Sequence, residues 1–348
     1  MRFSSKLFSK VALAVLAVFA LASVGTGVAA AGKASKGPFV IGYDIYFAGN
    51  SWSTQLTDEF QAAAARHHSE IKHVYFTSSN GDVNKQISNL QDMIAEHVNA
   101  IIVTPNSPTA LIPVIKEAEA HGIKVILNAA TISSPDYTAL VNVNDYAYGL
   151  AAARWLATTI HGKGNVVMLD GIPGISTNDD RVKAAKAVFA KYPNIHVIAE
   201  EPTNWQLDQS KIAMSNILAA HSQPIAGILS SGGMVAMGVV DAYHAAKRSP
   251  IPPVVGDDMN GFLKYWKKYH LTAVGVVKPT YLSAVALQVA LDALEGKPFK
   301  KNDIFPPTII TAKTLNRYLK PNMPDSFWTA TRMTPAQIKK FWTNSSQN

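Results

Sequence analysis

The chain has 348 residues, 48% of them apolar and only 16% charged, a composition that excludes a long disordered or low-complexity protein and provides for about two globular domains. Its formal net charge of +8 hints at nucleic-acid binding until its distribution is examined, and its complete lack of Cys excludes disulfides, thiolate metal sites, Cys nucleophiles and lipid attachment through an N-terminal Cys. Arg2, Lys6 and Lys10 precede an uninterrupted apolar run from Val11 to Val24, and Ala29-Ala30-Ala31 follows. This is the pattern of a secretory signal peptide over residues 1–31, with an apolar stretch shorter than the about 20 residues a membrane span needs. Cleavage after Ala31 removes three positive charges and no negative one, leaving +5 on a mature protein expected to be free in the periplasm and not a lipoprotein.

From residue 38 onward, β-branched runs alternate with amphipathic stretches. Phe39 to Tyr43 reads as a strand, Thr54 to His67 as a helix, Val74 to Phe76 as a strand, and Ile87, Leu90, Ile94 and Val98 fall at helical spacing. Ala100 to Val103 is a run of the kind buried on both faces of a parallel sheet. Ser107-Pro108 is expected to open a helix that ends at His121-Gly122, and Lys124 to Leu127 is the next strand. The same rhythm restarts after Asn144: helices over Asp145–Ile160, Arg181–Lys191, Asp208–His221, Met234–Lys247 and Tyr281–Leu294 alternate with extended runs at Val166, His196, Gly227, Val254 and Val274. Alternation of this kind predicts two doubly wound α/β units with parallel sheets. Beyond residue 305, Pro306, Pro307, Pro321 and Pro324 interrupt the pattern, and a tail over 306–348 is expected to wrap the outside.

Ligands of open α/β sheets bind at the carboxyl ends of the strands, so the loops leaving the strands carry the functional information. Here they hold Asn50-Ser51-Trp52, Asn128, Asp179-Asp180-Arg181, Asn204-Trp205, Ser230-Ser231-Gly232-Gly233 and Asp257-Asp258. Amides, carboxylates, one Arg and two Trp would converge on one cleft. No His-Glu-x-x-His pattern, Gly-x-Ser-x-Gly elbow or phosphate loop is present, so neither a metal, a cofactor nor a catalytic residue is expected.

Several stretches taken together resemble the ribose-binding-protein-like family of periplasmic sugar-binding proteins: Asn50-Ser51-Trp52, Asn84-Lys85-Gln86-Ile87, Ala100 to Pro105, Gly162 to Val167, Asp180-Arg181, and Val254 to Asp258. The resemblance implies two Rossmann-like lobes joined by a three-crossover hinge, with residues 38–142 plus 278–305 in one lobe and 143–277 in the other. It also implies a monosaccharide or related polyhydroxy ligand held by hinge closure and delivered, by a monomer, to an inner-membrane ABC permease with its ATPase. A chemoreceptor is the alternative partner, and a sensory receptor or a sugar-modifying enzyme the alternative role; nucleic acid is excluded because an export signal stands where a DNA-binding helix-turn-helix would be. Position by position, the ligand-binding residues implied are Asn50, Trp52, Asn128, Arg181, Trp205, Ser231 and Asp258, with the two indoles sandwiching a sugar and Asp258 accepting its hydroxyls. Three departures from the family stand out: Asn128-Ala129-Ala130 in place of an Asp-Arg pair, Gly232-Gly233 in place of Asn-Asp, and Val277 or Lys278 in place of a hinge Gln. They point away from ribose and toward another pentose, a furanose, a polyol or a deoxy sugar. A sugar acid enters only if Lys278 faces the cleft, whereas an exposed hinge Lys is the expectation.

Overall fold

The computed structural model describes residues 35–343, so the expected signal peptide lies outside the described residues. Two six-stranded sheets organise the chain. The first takes β1 (Phe39–Ile45), β2 (Ile71–Ser78), β3 (Ala100–Thr104), β4 (Lys124–Asn128), β5 (Ala139–Val143) and β11 (Asn302–Phe305), in the spatial order β11-β5-β4-β3-β1-β2 and all parallel. The second takes β6 (Lys163–Asp170), β7 (Asn194–Pro202), β8 (Ile225–Ser230), β9 (Val254–Gly256), β10 (Ala273–Val277) and β12 (Thr308–Ile310), in the order β12-β10-β9-β8-β6-β7. Only β12 runs antiparallel, against β10.

Each sheet is buried on both faces, which is why its central strands read as unbroken apolar runs. Helix α1 (Ser51–Arg66) and α9 (Leu282–Leu294) cover one face of the first sheet, with Leu56, Phe60, Leu287 and Leu291 against Ile41, Ile102 and Val141. On the other face, α2 (Val83–Ala95) and α3 (Ile112–Ala120) set Leu90, Met93 and Ile115 against Ile101, Val103 and Val125. In the second sheet, α4 (Asp145–Thr159) and α5 (Ser176–Phe189) pack on one face, while α6 (Leu207–Ala220), α7 (Gly233–Ala245) and α8 (Asn260–Lys268) pack on the other. The chain passes between the sheets three times, after β5, after β10 and between β11 and β12.

Four local expectations are corrected. Ser107 accepts from the N–H groups of Thr109 and Ala110 and closes a turn, so α3 begins only at Ile112, with Pro113 in its first turn. The strand over Ala139–Val143, short and lying between Pro135 and Asn144, was not foreseen. Nor was β11, whose residues alternate between exposed and half-buried in a polar stretch. The segment expected to wrap the outside instead completes the second sheet with β12 and buries Ile310, Leu315, Leu319 and Trp328 in its core. After the short helix α10 (Leu315–Tyr318) it crosses to the first lobe, where Gln337 of α11 (Pro335–Thr343) donates to the carbonyl of Ala62.

Candidate ligand site between the lobes

The carboxyl ends of the two sheets face each other across a cavity lined by residues of both lobes and of the segments joining them. Its volume, about 60 Å³ counted as space for the centres of water-sized molecules, suits a handful of waters or one small ring or short chain. The lobes already touch around it: the N–H of Thr131 donates to Ser176 Oγ (2.8 Å) and the Thr177 hydroxyl to the carbonyl of Ala129 (3.0 Å).

Asn50 follows β1 and caps α1, its Oδ1 accepting from the N–H of Ser53 (2.9 Å), which leaves its amide nitrogen as the group available to a ligand. In the first turn of the helix, Trp52 packs against both cores and donates through Nε1 to the carbonyl of Lys278 (2.9 Å). Trp205 faces it from the second lobe. Two successive left-handed residues, Asn204 and Trp205 (φ 52° and 54°), swing its ring against Gly171, where even a Cβ would come within 2.1 Å of the indole. Such a backbone for a bulky residue costs about 1–3 kcal/mol and persists only where the surroundings enforce it. Ser231 does so, accepting from the indole N–H through its carbonyl (3.1 Å) and hydroxyl (3.2 Å).

Arg181, Asp145 and Lys278 form the charged floor. The Arg181 guanidinium lies 3.6 Å from the centroid of the Tyr148 ring and donates from Nε and Nη2 to Asp145 Oδ1, both at 3.0 Å. Lys278 is buried and not the exposed hinge residue expected: its Nζ donates to Asp145 Oδ2 (2.7 Å), the carbonyl of Ala129 (2.5 Å) and Thr177 Oγ1 (3.0 Å). An ammonium has three N–H groups, and all three are engaged. Burial pushes the Lys278 amine down to about 8 against the upward pull of Asp145, with Arg181 adding to the fall. Ala129 meets this ammonium because its own left-handed backbone (φ 59°) turns its carbonyl toward the hinge.

Two of the expected residues stand elsewhere. Asn128 is fully buried at the end of β4 and does not line the cavity; its amide has no hydrogen-bond partner among the described residues. Asp258 also points away, accepting at Oδ2 from the N–H of Ala330 in the tail (2.6 Å), while Asp257 lines the cavity instead. Consecutive residues leaving a strand point to opposite sides, so one position reverses the assignment. The space for Asp257 is made by Gly232 and Gly233, where a Cβ would come within 2.9 and 2.4 Å of its carboxylate oxygens. The glycines that replace an expected polar pair therefore admit a carboxylate from the neighbouring strand. Burial raises Asp257 to about 6, against the N–H groups of Met259 and Gly233 and the charge of Arg181. Burial, and then the charge of Asp257, raises Asp258 to about 7. Ser231 and Arg181 line the cavity, joined by Tyr46, Tyr148, Thr177 and Trp328.

A family model described as a periplasmic binding protein domain matches residues 41–298. The chain belongs to that family. It is 28% identical over 291 residues to a xylitol-binding protein of Mycolicibacterium smegmatis, a match spanning 84% of this chain and 81% of the relative. Among solved structures, a solute-binding protein of an ABC transporter from Thermobispora bispora superimposes with a TM-score of 0.78 at 24% identity, covering 88% of this chain and 96% of that one. One from Actinobacillus succinogenes, with bound D-allose, gives 0.72 at 26% identity over 80% and 99%. The family is one of binding proteins, and the chain is a binding protein and not an enzyme. Among the described residues no group of acidic and His side chains is placed to hold a metal ion, and no helix is long and apolar enough to cross a membrane.

Removing one partner of a buried ion cluster costs about 3–5 kcal/mol. Asp145→Asn strips the anion from two buried cations and is expected to lower the urea-unfolding free energy by about that amount, whereas Lys278→Met leaves the Arg181–Asp145 pair intact and costs less. Equal losses, or the reverse order, contradict this account of the floor. A pH effect follows from Asp258. Because its folded pKa lies above the unfolded value, the folded state binds the extra proton, and the stability it contributes is present at low pH and lost as pH rises from about 4 to about 7. In Asp258→Asn, melting temperature should fall less steeply between pH 5 and pH 8 than in the native protein; an unchanged slope refutes the assignment.

Proposed function

We propose that the cavity binds one small, uncharged polyhydroxy molecule, a pentose, a furanose or a short polyol, and that the lobes close over it. The carrying observation is the saturation of the charged floor. All three Lys278 donors and the Nε of Arg181 are spent on Asp145, Ala129 and Thr177, and Asp257 brings a further carboxylate beside Arg181. Two cations and two carboxylates therefore offset one another, and no cation is left over for the carboxylate of a sugar acid. What remains is suited to hydroxyls: the Asn50 amide nitrogen, the outer N–H groups of Arg181, the Asp257 carboxylate and the flat faces of Trp52 and Trp205. Names of similar proteins point the same way, since one binds xylitol and another was solved with D-allose.

Closure supplies the mechanism. A ligand that contacts both lobes binds only the closed form with full strength and shifts the population toward it. The closed surface is then what an ABC permease would recognise, and the export signal read over residues 1–31 supports a carrier free in the periplasm.

Calorimetry and thermal shift with neutral pentoses, furanoses and pentitols, set against the matching sugar acids, test this reading. The mature protein should bind a neutral member with a Kd around micromolar, leave it chemically unchanged, and bind the acids at least about tenfold more weakly. Trp205→Ala should lose about tenfold or more while remaining folded. Tighter binding of an acid, or no binding across the panel, overturns the proposal.

A further inference from the structure

The tail after residue 310 lies outside the stretch matched by the family model, yet it supplies Trp328 to the wall of the cavity. We propose that Trp328 is a ligand-contacting residue that sets an upper limit on ligand length, so that size selectivity is written in the tail and not in the family's own loops. This inference rests on the polyhydroxy-ligand reading given above.

The indole is held as a fixed wall and not as a swinging lid. Its backbone is clamped on the first lobe by one buried side chain: Gln55 Nε2 donates to the Trp328 carbonyl and Gln55 Oε1 accepts from the Trp328 N–H, both at 2.8 Å. Its ring is fixed by donation from Nε1 to Ser51 Oγ (3.0 Å), one residue before Trp52. On the second lobe, the next two residues are tied to Asp258, whose carbonyl accepts from the N–H of Thr329 and whose carboxylate accepts from that of Ala330. Upstream, the Asn260 amide donates to the carbonyls of Lys320, Met323 and Pro324 and accepts from the N–H of Lys320. Downstream, Glu59 of α1 accepts from the Thr331 hydroxyl and the Arg332 N–H. The tail therefore reaches the cavity between anchors on both lobes, and Trp328 itself is only 6% exposed. A rigid indole joining Trp52 and Trp205 puts three indole walls around a small volume. A buried Asp258 whose Oδ2 serves the tail, and which does not line the cavity, fits the same arrangement.

The test measures Kd for a series of linear polyols from four to seven carbons with the native mature protein, Trp328→Ala and Trp328→Phe. The native protein should prefer the shorter members, Trp328→Phe should retain that order, and Trp328→Ala should raise the seven-carbon to five-carbon affinity ratio by about tenfold or more. Urea unfolding of each variant reports its fold; should Trp328→Ala fail to fold, Trp328→Leu takes its place in the same comparison. An unchanged length preference in the alanine or leucine variant, with affinity lost evenly across the series, overturns the role of Trp328 while leaving the polyhydroxy reading intact. Failure of the native protein to bind any member, together with the neutral sugars of the earlier panel, overturns that reading and this inference with it.

Discussion

The site depends on a single buried carboxylate. Asp145 begins α4 just after the chain first crosses between the lobes, and it binds Arg181 from α5 of the second lobe and Lys278 from the second crossover. Without it two cations would lie buried beside one another, which no interior tolerates. With it, Lys278 can be placed where its remaining donors reach Ala129 of the first lobe and Thr177 of the second. The cluster is thus at once the floor of the cavity and a joint between the two bodies that form it. Two cations meet one carboxylate within it, and Asp257 beside Arg181 supplies the second, so the cavity has hydrogen-bonding edges without an excess of either sign.

Around that floor, small residues decide where large ones go. Gly171 admits the Trp205 ring, and Gly232 with Gly233 admits the Asp257 carboxylate; a side chain at any of the three would occupy the space that the site now uses. Gln86, part of the stretch that resembles the sugar-binding family, has a different task. It donates to Asp44 and the carbonyl of Thr104, and accepts from the N–H of Asn106, joining the ends of β1 and β3 of the first lobe without lining the cavity. A motif shared with a family can therefore position the scaffold and not touch the ligand.

Alternating β-branched and amphipathic runs made the two α/β lobes legible, because strands buried on both faces must be apolar throughout. That Trp52, Arg181, Trp205 and Ser231 gather around one cavity was legible because they follow strand ends. Asp258 was expected in the cavity that Asp257 lines instead, since adjacent residues face opposite ways and only the Gly232-Gly233 pair bears on which of the two enters it. The partnership of Asp145 with Lys278 spans 133 positions and has no local signature. Trp328 was hidden for a related reason: its segment has no period, being held by side chains such as Gln55 and Asn260 that lie far away in the chain.

On the closure proposed here, a ligand draws the two lobes together on the Asp145 cluster. Spin labels at the exposed positions Asn80 and Gln209, one on each lobe at the rim of the cleft, allow the inter-lobe distance to be measured by pulsed electron resonance with and without the best neutral ligand. A broad distribution that narrows to its short end on saturation is the predicted result. A distribution that saturating ligand leaves unchanged would contradict the account.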